Sequence, residues 1–176
     1  MKFGQFRNQQ TSLLKLLIVK YSTNFALLVI LLTLIPLVVN AQVVDDFADG
    51  NFTNNPVWEG DTDEFEVEAS NELHLIAPAV SDESHLVTAN TLVDNAIWEF
   101  WVNMKFATSS TSKTYFYLMS DHSNLESSLN GYYVLIGGTQ DEISLYRQGG
   151  NTSSKIIDGL DKSIETSTVT VRVKVS

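Results

Sequence analysis

Ala96–Phe106, AIWEFWVNMKF, is the stretch whose reading decides the fold. Trp98, Phe100, Val102, Met104 and Phe106 recur at every second position. Glu99, Asn103 and Lys105 stand between them, with Ile97 and Trp101. Successive side chains of an extended chain point to opposite sides, so a period of two means a strand with one face buried and the other in water. Thr168–Val175 repeats the pattern. There Val169, Val171, Val173 and Val175 alternate with Thr168, Thr170, Arg172 and Lys174.

Working outward, shorter runs of the same kind predict strands over Val43–Phe47, Phe65–Ala69, Glu72–Ile76, His85–Thr88, Thr114–Ser120, Gly131–Gly137, Glu142–Tyr146 and Lys155–Asp158. Tyr115–Met119 and Tyr132–Ile136 are apolar on both faces and are expected to be central strands. Ser70-Asn71 predicts a tight hairpin. Asn130-Gly131, Gly137-Gly138, Gly149-Gly150 and Asp158-Gly159 are expected to break strands. A helical period is absent beyond one turn near Ser123–Leu129. Many short strands with no helical layer to cover a sheet predict an all-β fold, an antiparallel β-sandwich or jelly roll.

The amino-terminal end has a different character. Residues 1–24 carry Lys2, Arg7, Lys15 and Lys20 and no acidic residue, and Phe25–Val39 is an apolar run of 15 residues. Val39-Asn40-Ala41 then supplies short residues at a cleavage site. That order is a secretory signal peptide, expected to be removed after Ala41. A spanning helix needs about 20 apolar residues, so no stable membrane span is expected after cleavage. The remaining 42–176 is expected to be one domain, secreted or held at the cell surface. All 21 acidic residues lie there against seven Lys and Arg, a formal charge of −14. So negative a domain repels nucleic acid and anionic headgroups. The chain has no cysteine, so no disulfide holds it.

Val44-Asp45-Asp46-Phe47-Ala48-Asp49-Gly50-Asn51-Phe52 with Trp58, then Trp98–Val102, Tyr117–Asp121, Asn130–Gly137 and Glu142–Tyr146, together resemble concanavalin A-like lectin/glucanase sandwiches. They are similar in particular to the domain at the amino terminus of long exported surface proteins of gliding-type Gram-negative bacteria, which carry lamin-tail, adhesion or sorting domains further along. The resemblance implies a concanavalin A-like jelly roll at the cell surface, with downstream domains as partners. Such sandwiches run longer than 42–176, and Thr168–Val175 ends the chain with an apolar face. The domain is therefore expected to be truncated at its C-terminus.

Three groups of residues bear on chemistry. Alternation places Glu64, Glu66 and Glu68 on one strand face, similar to the E-x-D-x-E catalytic strand of retaining glucanases. Glu66 stands where that motif has Asp, and the run comes early in the domain. Asp45, Asp46 and Asp49 offer oxygen ligands suited to a structural calcium, although Asp at turns also caps its own backbone. No other cofactor is implied. Trp101, Tyr133 and Tyr146 are expected on outward faces, where rings stack on sugars. His74, His85 and His122 follow no HxH or HExxH spacing. The reading that best fits is a non-catalytic binding or adhesion module with a glycan ligand. The alternatives are a glycoside hydrolase using Glu64 and Glu68, and a structural spacer without ligand.

Overall fold

Alternation becomes ladder in the longest of the expected runs. The computed structural model describes residues 43–176 except Ala79 and Ser167, and these fall within one compact unit, Asn40–Ser176. The leader and its cleavage site lie outside the described residues. Among the described residues ten strands are formed: β1 Trp58–Gly60, β2 Phe65–Val67, β3 Leu73–Leu75, β4 Leu86–Thr88, β5 Trp98–Met104, β6 Lys113–Ser120, β7 Leu129–Gly137, β8 Glu142–Gly150, β9 Thr152–Ile157 and β10 Val169–Val175. A 3-10 turn over Thr62–Glu64 accompanies them. The protein is all-β and every pairing is antiparallel. Among the described residues no helix is long and apolar enough to cross a membrane.

Two layers form the core. One is a four-stranded sheet in the order β6-β7-β8-β9, the other the pair β5–β10. Register sets Val169 opposite Met104, Val171 opposite Val102, Val173 opposite Phe100 and Val175 opposite Trp98, so both apolar stripes share one face. That face packs on Phe116, Leu118, Val134, Ile136, Ile143 and Leu145 of the larger sheet. Phe100 and Phe116 stack at 3.5 Å between ring centroids, 6° from parallel. Ile164, on the turn before β10, closes the cluster. Apart from these layers, β1 pairs with β4 and β2 with β3.

Several expectations are corrected. Val43–Phe47 forms no strand. The Asp45 and Asp46 carboxylates accept the backbone N–H groups of Phe47 and Ala48, which draws the chain into local turns. Phe106 is 45% exposed, because β5 stops at Met104, the last residue with a partner on β10. β6 lies at the edge of its sheet; its two apolar faces serve the core on one side and a tyrosine cluster on the other. Asn130-Gly131 lies inside β7, whereas Gly149-Gly150 ends β8 as expected, with Gly150 at φ +62° leading into the turn to β9. Gly131 faces a register shift between Tyr117 and Met119, and a Cβ there would collide with the Met119 carbonyl oxygen. The glycine marks a bulge rather than a strand end. By contrast Ser70-Asn71 is the expected turn, with Asn71 at φ +62°, and Gly137-Gly138 joins β7 to β8 with both glycines at positive φ.

Candidate functional site

The outer face of the four-stranded sheet carries a row of aromatics set by register. Tyr117 on β6 lies opposite Tyr133 on β7, Tyr133 opposite Tyr146 on β8, and Tyr146 opposite Lys155 on β9. Neighbouring strands run about 4.8 Å apart, so the rings must touch. Tyr133 and Tyr146 stack at 5.2 Å and 5°. Tyr117 meets Tyr133 at 5.1 Å and 44°. Tyr115, two residues along β6, packs its edge on Tyr133 at 5.3 Å.

Polar groups frame the row. The Tyr117 hydroxyl donates to Gln148 Oε1 at 2.6 Å, and Gln148 Nε2 donates to the Gly150 carbonyl at 3.1 Å. Lys113 Nζ sits 5.5 Å from the centroid of Tyr115, and Lys155 Nζ 5.9 Å from that of Tyr146. Burial, with Tyr133, Tyr115 and Glu83 nearby, pushes the Tyr117 phenol up to about 12. Burial raises Tyr133 as well. Both hydroxyls are neutral donors and acceptors at physiological pH.

One end of this face is anchored by a buried carboxylate. Glu142 accepts from Ser144 Oγ at 2.6 Å and from Lys155 Nζ. Lys155 also pairs with Asp158, and Ser144 Oγ accepts the Gly159 N–H at 2.8 Å. The hydrogen bonds from Lys155 and then Ser144 hold the Glu142 carboxyl below its ordinary range.

The three residues expected to meet a glycan are thus divided. Tyr133 and Tyr146 stack together, but Tyr133 is only 6% exposed, walled in by its neighbours. Trp101 is 69% exposed and projects from the outward side of the β5–β10 pair, on the opposite side of the two-layer core. There the Arg172 guanidinium lies 5.6 Å from its ring centroid and pairs with Glu99.

Nor do Glu64, Glu66 and Glu68 form one strand face. Glu64 belongs to the 3-10 turn and accepts from Ser84 Oγ. Glu66 lies on β2 opposite His74. Glu68 Oε1 is 2.7 Å from His74 Nδ1. Asp45, Asp46 and Asp49 turn inward on their own segment. Asp45 accepts Phe47 N–H and Trp58 Nε1–H, at 2.9 and 2.8 Å. Asp46 accepts Ala48 N–H at 3.1 Å, and Asp49 accepts Asn51 N–H at 3.2 Å. Among the described residues, Glu66, Glu68 and His74 are the His and carboxylate groups whose ligand atoms converge.

Sequence reasoning missed Tyr115, Tyr117 and Gln148. Their signal was present in the alternation Tyr115/Tyr117, but joining it to Tyr133 requires the β6–β7 register, which sets Tyr117 opposite Tyr133. It also missed an open cavity of about 420 Å³ lined by Glu59, Asp61, His85, Ser123, Asn124 and Glu126. In it Asp61 Oδ2 accepts the His85 backbone N–H at 2.8 Å and lies 3.0 Å from His85 Nδ1. Gly60 makes that approach possible: at φ +132° a Cβ would run into the His85 carbonyl.

Comparison of the chain with family models, with curated proteins and with solved structures returns no match.

Proposed function

We propose that this protein is a non-catalytic carbohydrate-binding module of an exported cell-surface protein, built on a concanavalin A-like plan. The observation that carries the reading is the register-matched row Tyr117–Tyr133–Tyr146 with Tyr115 and Gln148 beside it. It lies on the sheet face that the core does not use. Aromatic rings offer sugars an apolar contact, and neutral hydroxyl and amide groups at their edges suit a polyol. The phenols held neutral by burial strengthen that match. The hydrolase alternative has weaker support, since Glu64 is engaged by Ser84 and lies off the Glu66–Glu68 face.

The test is a glycan array probed with the exported protein, followed by titration of any ligand found. Tyr115→Ala and Tyr146→Ala are each expected to weaken binding by about tenfold, equivalent to roughly 1.4 kcal/mol. Trp101→Ala, on the far side of the core, should leave it unchanged. Retention of no glycan would refute the reading, as would loss of binding from Trp101→Ala with both tyrosine variants intact. Release of reducing sugar that Glu64→Gln abolishes would favour the hydrolase.

A further inference from the structure

Charge along the domain is divided unevenly. Residues 43–104 hold 14 of the 21 Asp and Glu and no Lys or Arg. The basic side chains positioned to answer that charge from within the stretch are His74 and His85; His85 faces the single carboxylate of Asp61, whereas His74 faces two, Glu66 and Glu68. His74 lies on the β2–β3 hairpin, whose turn at Asn71 fixes Glu66 directly opposite it. Glu66 and Glu68 are two residues apart and share the strand face that looks toward His74. His74 Nδ1 is 2.7 Å from Glu68 Oε1 and 3.8 Å from Glu66 Oε1. One atom from each of the three lies within 4.8 Å of the others.

We propose that Glu66, Glu68 and His74 bind a divalent transition-metal ion, zinc by the chemistry of the set. An i, i+2 pair and its cross-strand partner present three donors to one point above the hairpin, with the remaining coordination positions left to water. Zinc takes imidazole nitrogen and carboxylate oxygen at about 2.0–2.2 Å. Donors already within 4.8 Å of one another close on such an ion through side-chain rotation alone. The imidazole selects against calcium and magnesium, which favour oxygen-only sets. A paired His74 and Glu68 do not offset the surrounding carboxylates, whereas a dication does. Isolated two-stranded hairpins are marginal in water, and an ion joining β2 to β3 would hold this one closed.

Zinc binding is measured by calorimetry on the full chain after chelator treatment, with the imidazole NMR signals of His74 followed in parallel. One zinc ion per chain is expected, with the His74 signals moving and those of His122 still. His74→Gln, Glu66→Gln and Glu68→Gln should each lower the affinity by at least the roughly 10- to 100-fold that loss of a supporting residue costs a metal site. All three side chains lie on the surface of the hairpin, and a far-UV circular dichroism spectrum confirms that each variant is folded. His85→Gln and His122→Gln should bind as the parent does. Absence of zinc binding up to millimolar concentration overturns the proposal. So does binding that His74→Gln leaves intact, or a site that takes calcium in preference to zinc.

Discussion

Phe100→Ala puts the two-layer core to a quantitative test. Phe100 is buried on β5, stacked on Phe116 of the opposite layer and paired across its own sheet with Val173. Truncation removes the ring and leaves a void between two sheets whose backbones are held by ladders and collapse only in part. Phe→Ala in such a place costs about 3–5 kcal/mol. The lost ring pair, worth roughly 0.5–1.5 kcal/mol, puts this site toward the upper end. Domains of this size are stable by about 5–15 kcal/mol, so most of a modest margin would go. Glu99→Ala next door is the control: its side chain faces out and pairs with Arg172 across solvent, an arrangement worth about 0–1 kcal/mol. Urea denaturation followed by tryptophan fluorescence gives both numbers, provided the m-value is unchanged. Comparable losses from Phe100→Ala and Glu99→Ala would show that the faces of β5 are wrongly assigned and that the β5–β10 pair does not close the core.

The pH dependence of stability follows from two groups. Glu142, held below its usual range by Lys155 and Ser144, stabilises the fold above about pH 4, and that contribution is lost as pH falls further. Lys155→Met should flatten this acid limb, and an unchanged limb would refute the attribution. Tyr117, raised to about 12, contributes stability that is complete below about pH 10 and is lost as the pH rises towards 12, where the unfolded chain ionises first. A urea midpoint that does not fall across that window would count against the buried tyrosine row. Gly60→Ala combines a collision with the His85 carbonyl and a φ of +132°, and should cost about 1–3 kcal/mol; a neutral effect on thermal unfolding would place β4 further from β1 than described. Amino-terminal sequencing of exported material is expected to begin at Gln42, or to be blocked by its cyclisation, and recovery of a Met1 form from membranes would exclude cleavage after Ala41.

What was legible in the sequence was whatever depends on period. The faces of β5 and β10, the hairpin at Ser70-Asn71 and the all-β class follow from alternation and turn chemistry, which act over two to four residues. What was illegible depends on partners. Phe106 continues the alternation of β5 but has no strand opposite it, so it stays in solvent. Val43–Phe47 alternates too, yet its aspartates capture the local N–H groups before a ladder can form. β1 is three residues long and carries no pattern. The candidate site divided along the same line: Tyr133 and Tyr146 are aromatic wherever they sit, but the contact of Tyr133 with Tyr117 is decided by the pairing register of β6 with β7. Glu64 departs from the expected face for the same reason: the alternation over 64–68 runs back through a residue that the 3-10 turn takes out of the strand.

The parallel stack of Tyr133 on Tyr146 has an optical consequence. Two identical chromophores at 5.2 Å and 5° couple their transition dipoles and share excitation. Tyr117 and Tyr115, each a little over 5 Å from Tyr133, extend the exchange across three strands. Light absorbed by any one of the four is therefore delocalised or passed on within the group, and emission polarised at excitation loses its orientation without any molecular rotation. The near-ultraviolet circular dichroism of the protein carries an intrinsic signal from this one sheet face. A molecule laid across the tyrosines would change that signal with no dye attached.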